Sequence, residues 1–147
     1  MKKTVSFLGI FLLALLLAGC SENNGSSMQY QVYYVSTSGT KLIEESYTPE
    51  NSASPREVTE ELLEKMGRPQ VGSDHVKALP DEVKVEHCVL KAREVDVDFN
   101  EAYNDMDPVR EILVRAAFVN TLIQVSNVEQ VVITVNGEDL VDEAGDV

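Results

Sequence analysis

The sequence predicts an α+β fold: a small two-layer domain with two helices on one face of an antiparallel or mixed sheet of four to five strands. Three stretches carry that expectation. Residues 107–137, DPVREILVRAAFVNTLIQVSNVEQVVITVNG, read as a helix running straight into a β-branched strand, the closing unit of a helix-on-sheet layer. Residues 54–67 carry the start and stop signals of another helix. Glu94 to Phe99 alternate acidic and apolar residues at the period of a strand half-buried on one face.

The chain starts with Met1-Lys2-Lys3, followed by a run that is apolar from Val5 to Ala18 apart from Ser6 and Gly9. The run is too short and wrongly flanked for an ordinary membrane span and reads as a bacterial secretory signal over residues 1–19. Its ending, Leu17-Ala18-Gly19-Cys20, resembles a lipobox. That resemblance implies cleavage before Cys20, lipidation of the Cys20 thiol and acylation of its new amine. Each buried CH₂ contributes about 0.8 kcal/mol, so two or more acyl chains give stable anchoring. The expected location is the extracytoplasmic face of the bacterial plasma membrane.

Of 12 basic and 25 acidic residues, removal of residues 1–19 takes Lys2 and Lys3 and no acid, which leaves a formal charge of −15. Such a surface repels nucleic acid and gives no electrostatic attraction to anionic lipid, so the membrane is expected as a partner through the lipid anchor only. Beyond Cys20 the sole cysteine is Cys88, and no disulfide is expected within the domain. Residues 20–27 supply the lipidated cysteine and a small, polar tether, SENNGSS. Residues 28–140 form the domain, and 141–147 an acidic tail.

Within the domain, Gln29–Ser36 and Lys41–Tyr47 read as two strands joined by the Ser38-Gly39-Thr40 turn. The first helix has Ser54 as N-cap, Pro55 in the first position and Glu57 completing a capping box. Val58, Leu62, Leu63 and Met66 form its apolar face, and Gly67 with Pro69 ends it. Val71–Leu79 is expected to be irregular. Strands follow at Val83–Leu90 and Glu94–Phe99, with Lys91-Ala92-Arg93 turning between them. Val95, Val97 and Phe99 are expected to point inward, and Glu94, Asp96 and Asp98 outward. The second helix starts on Asp107 and Pro108 and breaks at Ser126-Asn127, and its strand, Val131–Val135, stops at Asn136-Gly137.

That helix is apolar on two sides. One row runs through Val109, Ile112, Leu113, Ala116, Asn120 and Ile123, and the other, nearly opposite, through Val114, Phe118, Leu122 and Val125. A helix apolar on two sides is buried on both or has a partner. The sequence leaves open which row meets the sheet. Val114, Phe118, Leu122 and Val125 are the candidate partner-binding row, with Phe118 as its anchor.

Residues that carry chemistry are sparse. His75 lies in a polar stretch. His87 and Cys88 are adjacent in a strand, and neighbours there face opposite ways, so they cannot share a metal. No nucleophile elbow, phosphate loop or zincin motif occurs. No catalytic residue, metal or cofactor is expected. The row Glu94, Asp96, Asp98 reads as a solvated face relieved by Lys or Arg from a neighbouring strand, with low-affinity calcium as the sharper reading.

Four pieces resemble the GerMN domain of spore germination and sporulation lipoproteins: VYYVS before a glycine-bearing turn, ELLEKMGRP, ALPDEVKVEHCVLKAREVDVDFN and VNTLIQVSNVEQVVITVNGE. Two features differ from that family: Arg68 separates Gly67 from Pro69, and better-known sporulation members carry two such domains where this chain has one. The resemblance implies a domain like the ring-building motifs of secretion and sporulation complexes, acting by binding other proteins. The expected function is therefore a non-catalytic, lipid-anchored assembly or adaptor module. Its expected partners are other envelope or sporulation-complex proteins, or a second copy in a homo-oligomer. The alternative is a ligand- or cation-binding envelope lipoprotein unrelated to sporulation.

Overall fold

A computed structural model describes residues 28–51, 54–68, 75–76 and 78–140. The predicted signal sequence, Cys20, the predicted tether, Pro69 and the acidic stretch 141–147 lie outside the described residues. The elements run β1 (Tyr30–Ser36), β2 (Leu42–Tyr47), α1 (Pro55–Gly67), β3 (His75–Val76), β4 (Val85–Lys91), β5 (Glu94–Phe99), a 3-10 helix (Glu101–Asp105), α2 (Pro108–Leu122), β6 (Gln130–Val135) and β7 (Glu138–Asp139).

The α+β class is as expected, and the strands divide between two sheets. One has the order β2-β1-β3 and is antiparallel. The other has the order β4-β5-β6-β7 and is mixed, because β5 and β6 are parallel and joined by the crossover through α2. Parallel neighbours need such a long connection. The stretch expected to be irregular, Val71–Leu79, contributes the two-residue β3.

Both helices start as their sequences dictate. Asp107 Oδ1 accepts from the backbone N–H of Val109 at 3.0 Å and of Arg110 at 3.3 Å, with Pro108 in the first turn. Ser54 Oγ accepts from the Glu57 N–H at 3.3 Å and donates to the Glu57 carboxylate at 2.9 Å. α1 closes with the Arg68 N–H on the Lys65 carbonyl, so Gly67 is its last residue.

One core takes the inner faces of both sheets and both helices. Val32, Tyr34, Leu62, Val95, Val97 and Val114 are fully buried in it. Its aromatic centre is Phe99, stacked on Tyr103 with ring centroids 4.8 Å apart and met edge-on by Phe118 at 5.1 Å. Those geometries suit the aromatic quadrupole. Tyr103 comes from the 3-10 helix and Phe118 from α2, so this trio fixes the crossover against β5.

The β4–β5 hairpin turns on Ala92-Arg93, between the paired Lys91 and Glu94. Ala92 has φ 50°, where its Cβ crowds the backbone. The turn is held from outside, because the Arg93 carbonyl accepts from Glu129 N–H at 2.7 Å. Glycine at this position removes a clash of roughly 1–2 kcal/mol at an entropic cost of about 0.5–1 kcal/mol. Ala92→Gly is therefore expected to raise stability by about 0.5–1 kcal/mol in urea or thermal melts.

Candidate functional site

The two apolar rows of α2 have opposite fates. Val114, Phe118, Leu122 and Val125 are all at most 2 % exposed. The sequence-based assignment of this row to a partner is thereby corrected: it faces the core, and Phe118 is an aromatic anchor of the fold. Phe118 packs against Phe99, and burying it removes a large apolar surface from water. The other row faces out. Val109 is 58 % exposed, Ile112 59 % and Ile123 38 %, with Leu113 and Ala116 half-buried beside them and Asn120 exposed among them. Scattered exposed apolar residues are ordinary, whereas this row runs the length of one helix face.

The rotation of α2 that produces this outcome is set at its C-terminal end. Thr121, fully buried, accepts the Tyr33 N–H on its hydroxyl at 3.1 Å. The Gln124 side-chain amide accepts the Gln31 N–H at 2.9 Å and donates to the Gln31 carbonyl at 2.7 Å. Thr121 and Gln124 thus stand in for a neighbouring strand along β1. Sequence reasoning missed both. The available signal was a threonine lying within the apolar row that goes inside, a polar group that needs a partner once buried.

The acidic row Glu94, Asp96, Asp98 points outward as expected, while Val95, Val97 and Phe99 point in. Each carboxylate has its own partner. Glu94 accepts from the Gln130 amide, and Asp96 is paired with Lys91 of the neighbouring strand. Asp98 Oδ1 accepts from the Thr134 hydroxyl at 2.6 Å and from the Gly137 N–H at 2.8 Å. The bond from Lys91 holds the Asp96 carboxyl below the usual range, and the Thr134 and Gly137 bonds do the same for Asp98. Among the described residues, no group of three or more His, Cys, Asp or Glu is placed to hold a metal ion. The row is relieved by lysine, hydroxyl and amide groups.

His87 is exposed, and Cys88 packs half-buried against the core from β4. Burial, then Asp96 and Glu60, push the Cys88 thiol up to about 11. It is therefore protonated and unreactive at neutral pH. His75 falls in β3. Asn100, also unremarked in the sequence, clamps the segment before β4: its side chain accepts from Lys84 N–H at 2.9 Å and donates to the Glu82 carbonyl at 2.9 Å. A groove between α1 and β4 is lined by Leu63, Met66, Leu79 and Val85 and reaches Phe118. Its lining is mainly apolar.

Residues 31–141 match the model of the Germane family, described as sporulation and spore germination. The chain belongs to the Germane family. Its fold is similar to that of the first GerMN domain of the sporulation protein GerM from Bacillus subtilis, at 18 % identity and a TM-score of 0.59, covering 77 % of this chain and 86 % of that one. The tandem GerMN domains of the same protein match at 23 % identity and a TM-score of 0.54, over 88 % of this chain and 46 % of that one. This Germane chain therefore spans about half the length of the tandem protein. A putative lipoprotein from Clostridium perfringens matches at 15 % identity and a TM-score of 0.50, over 77 % of each chain. No curated protein matches. No helix among the described residues is long and apolar enough to cross a membrane.

The two faces of α2 separate cleanly in a melt. Phe118→Glu buries a charge and removes a core ring, and is expected to cost about 3 kcal/mol or more. Ile112→Glu changes an exposed position and is expected to stay within about 0.5 kcal/mol of the parent. Circular-dichroism melts of the two variants check both values.

Proposed function

We propose that this Germane chain is a non-catalytic, lipid-anchored assembly module of sporulation or spore germination, and that it binds another envelope protein through the outer face of α2. The observation that carries the reading is the exposed row Val109, Ile112 and Ile123 on an otherwise strongly acidic molecule. Apolar surface in water is a standing source of binding free energy, about 25 cal/mol for each Å² covered. The row is narrow and gives a modest contact by itself.

The anchor compensates for that narrowness. The lipobox-like Leu17-Ala18-Gly19-Cys20 supports lipidation at Cys20 on the extracytoplasmic face of the plasma membrane. Seven residues of tether span at most roughly 25 Å, so the domain sits close to the bilayer. Partners held in the same membrane meet it at high effective concentration, and a weak contact is then sufficient for assembly. The sporulation role is supported by the family and by the fold shared with the GerMN domains.

Ile112→Glu tests the surface. It is expected to keep the parent's melting curve and to lose the proteins that co-isolate with the parent chain from detergent-solubilised membranes of sporulating cells. Unchanged co-isolation would exclude this face. Cys20→Ala tests the anchor: metabolic acyl labelling is expected to disappear, and labelling that persists would overturn the lipid attachment.

A further inference from the structure

The β6–β7 connection is two residues long, Asn136-Gly137, with Val135 and Glu138 paired across it. Both turn residues have positive φ, 51° and 76°, the backbone twist that a two-residue hairpin needs and that Asn-Gly adopts most readily. The same dipeptide is chemically labile. Without a Cβ on the following residue, the glycine nitrogen reaches the asparagine side chain with little hindrance. The nitrogen of Gly137 would bond to Cγ of Asn136 and lose its proton, and the side-chain nitrogen would leave as ammonia. Water would then open the resulting succinimide to aspartate or isoaspartate. No oxidant or cofactor is involved. Asn136 and Gly137 are both exposed to that water.

In the folded domain the nucleophile is engaged. The Gly137 N–H donates to Asp98 Oδ1 at 2.8 Å, and the same oxygen is fixed by the Thr134 hydroxyl at 2.6 Å. On the other side of the turn, the Asn136 N–H donates to the Phe99 carbonyl at 2.9 Å. We propose that Asn136 is a site of spontaneous deamidation that the fold keeps latent, with Asp98 as its guard. The Asp98 oxygen denies the Gly137 nitrogen to the Asn136 side chain in two ways. The bond holds the nitrogen in the hairpin geometry, so the backbone rotation that brings it to Cγ must break that bond. The carboxylate charge also opposes loss of the proton, because an amide anion would form beside it.

The guarded reaction has a structural consequence. Isoaspartate adds a methylene to the backbone of a two-residue turn and places a second carboxylate near Asp98. The turn that carries β7 is then lost, and β7 is what pairs with Thr134 and Val135 at the end of the outer edge of β6. An uncovered edge is a template for pairing with other chains.

The full chain is aged in mildly alkaline buffer, native and in urea. The Asn136-Gly137 peptide is followed by mass spectrometry, with isoaspartate detection. Asn24-Gly25, the same dipeptide earlier in the chain, reports in each digest that the conditions permit the reaction. Native Asn136 is expected to convert at least about tenfold more slowly than in urea, the rate equivalent of one charge-assisted hydrogen bond. Asp98→Ala, checked for folding by circular dichroism, is expected to recover most of that factor. Asp98→Asn keeps the shape and an acceptor oxygen without the charge, and is expected to fold and convert several-fold faster than the parent. Equal native and urea rates overturn the proposal, and so does a parental rate in either folded variant.

Discussion

A strand that enters a core needs partners for its peptide groups on both edges, and β1 has a second strand along only part of one edge. β2 runs the length of one side. On the other side, β3 reaches Val35 and Ser36 alone, and the peptide groups of Gln31 and Tyr33 are met by the end of α2. A primary amide carries a donor and an acceptor in one plane, as a peptide unit does. Gln124 can therefore pair with Gln31 in the way a neighbouring strand would. Leaving such a group buried and unpaired costs roughly 1–3 kcal/mol, so the fold holds α2 in the one position that closes this edge.

The rest of the helix follows from that contact. With Thr121 turned toward β1, residues recur at about 100° per position. Val114, Ala117 and Phe118 then lie on Thr121's side, while Ile112 and Ile123 lie nearly opposite. Phe118 reaches Phe99, which stacks on Tyr103. The proposed contact face is therefore a by-product of satisfying β1. A partner meets whichever apolar residues remain once the edge of a strand has fixed the helix rotation. In the other sheet, Asp98 performs a comparable service for the β6–β7 turn. In both places polar side chains stand in for backbone.

Much of this was legible in the sequence. Caps are local, so Asp107 with Pro108 and Ser54 with Glu57 marked the helix starts to the residue. The period-two pattern of Glu94–Phe99 gave the correct inner and outer faces. The choice between the α2 rows was not legible, because apolar periodicity counts how many sides are apolar and says nothing of direction. Phe118, as the largest apolar residue, drew the assignment of an anchor, when its size is what fills the core. Thr121 was the local clue that the other row faces out. The division into two sheets was hidden for the same reason: β1's missing neighbour is partly made of side chains from 88 to 93 residues away. Likewise Asp96 and Asp98 looked equivalent until register placed Lys91 near one and Thr134 with Gly137 beside the other.

Native-state amide hydrogen exchange at Gln31 and Tyr33 tests most directly whether α2 closes β1. The N–H of Tyr33 should be protected in the parent and lose protection selectively in Thr121→Val, with Gln31 losing it in Gln124→Leu, while Val97 in the centre of the other sheet stays as slow as before. Fast exchange at Gln31 and Tyr33 in the parent, or protection there that neither substitution disturbs, would contradict the account.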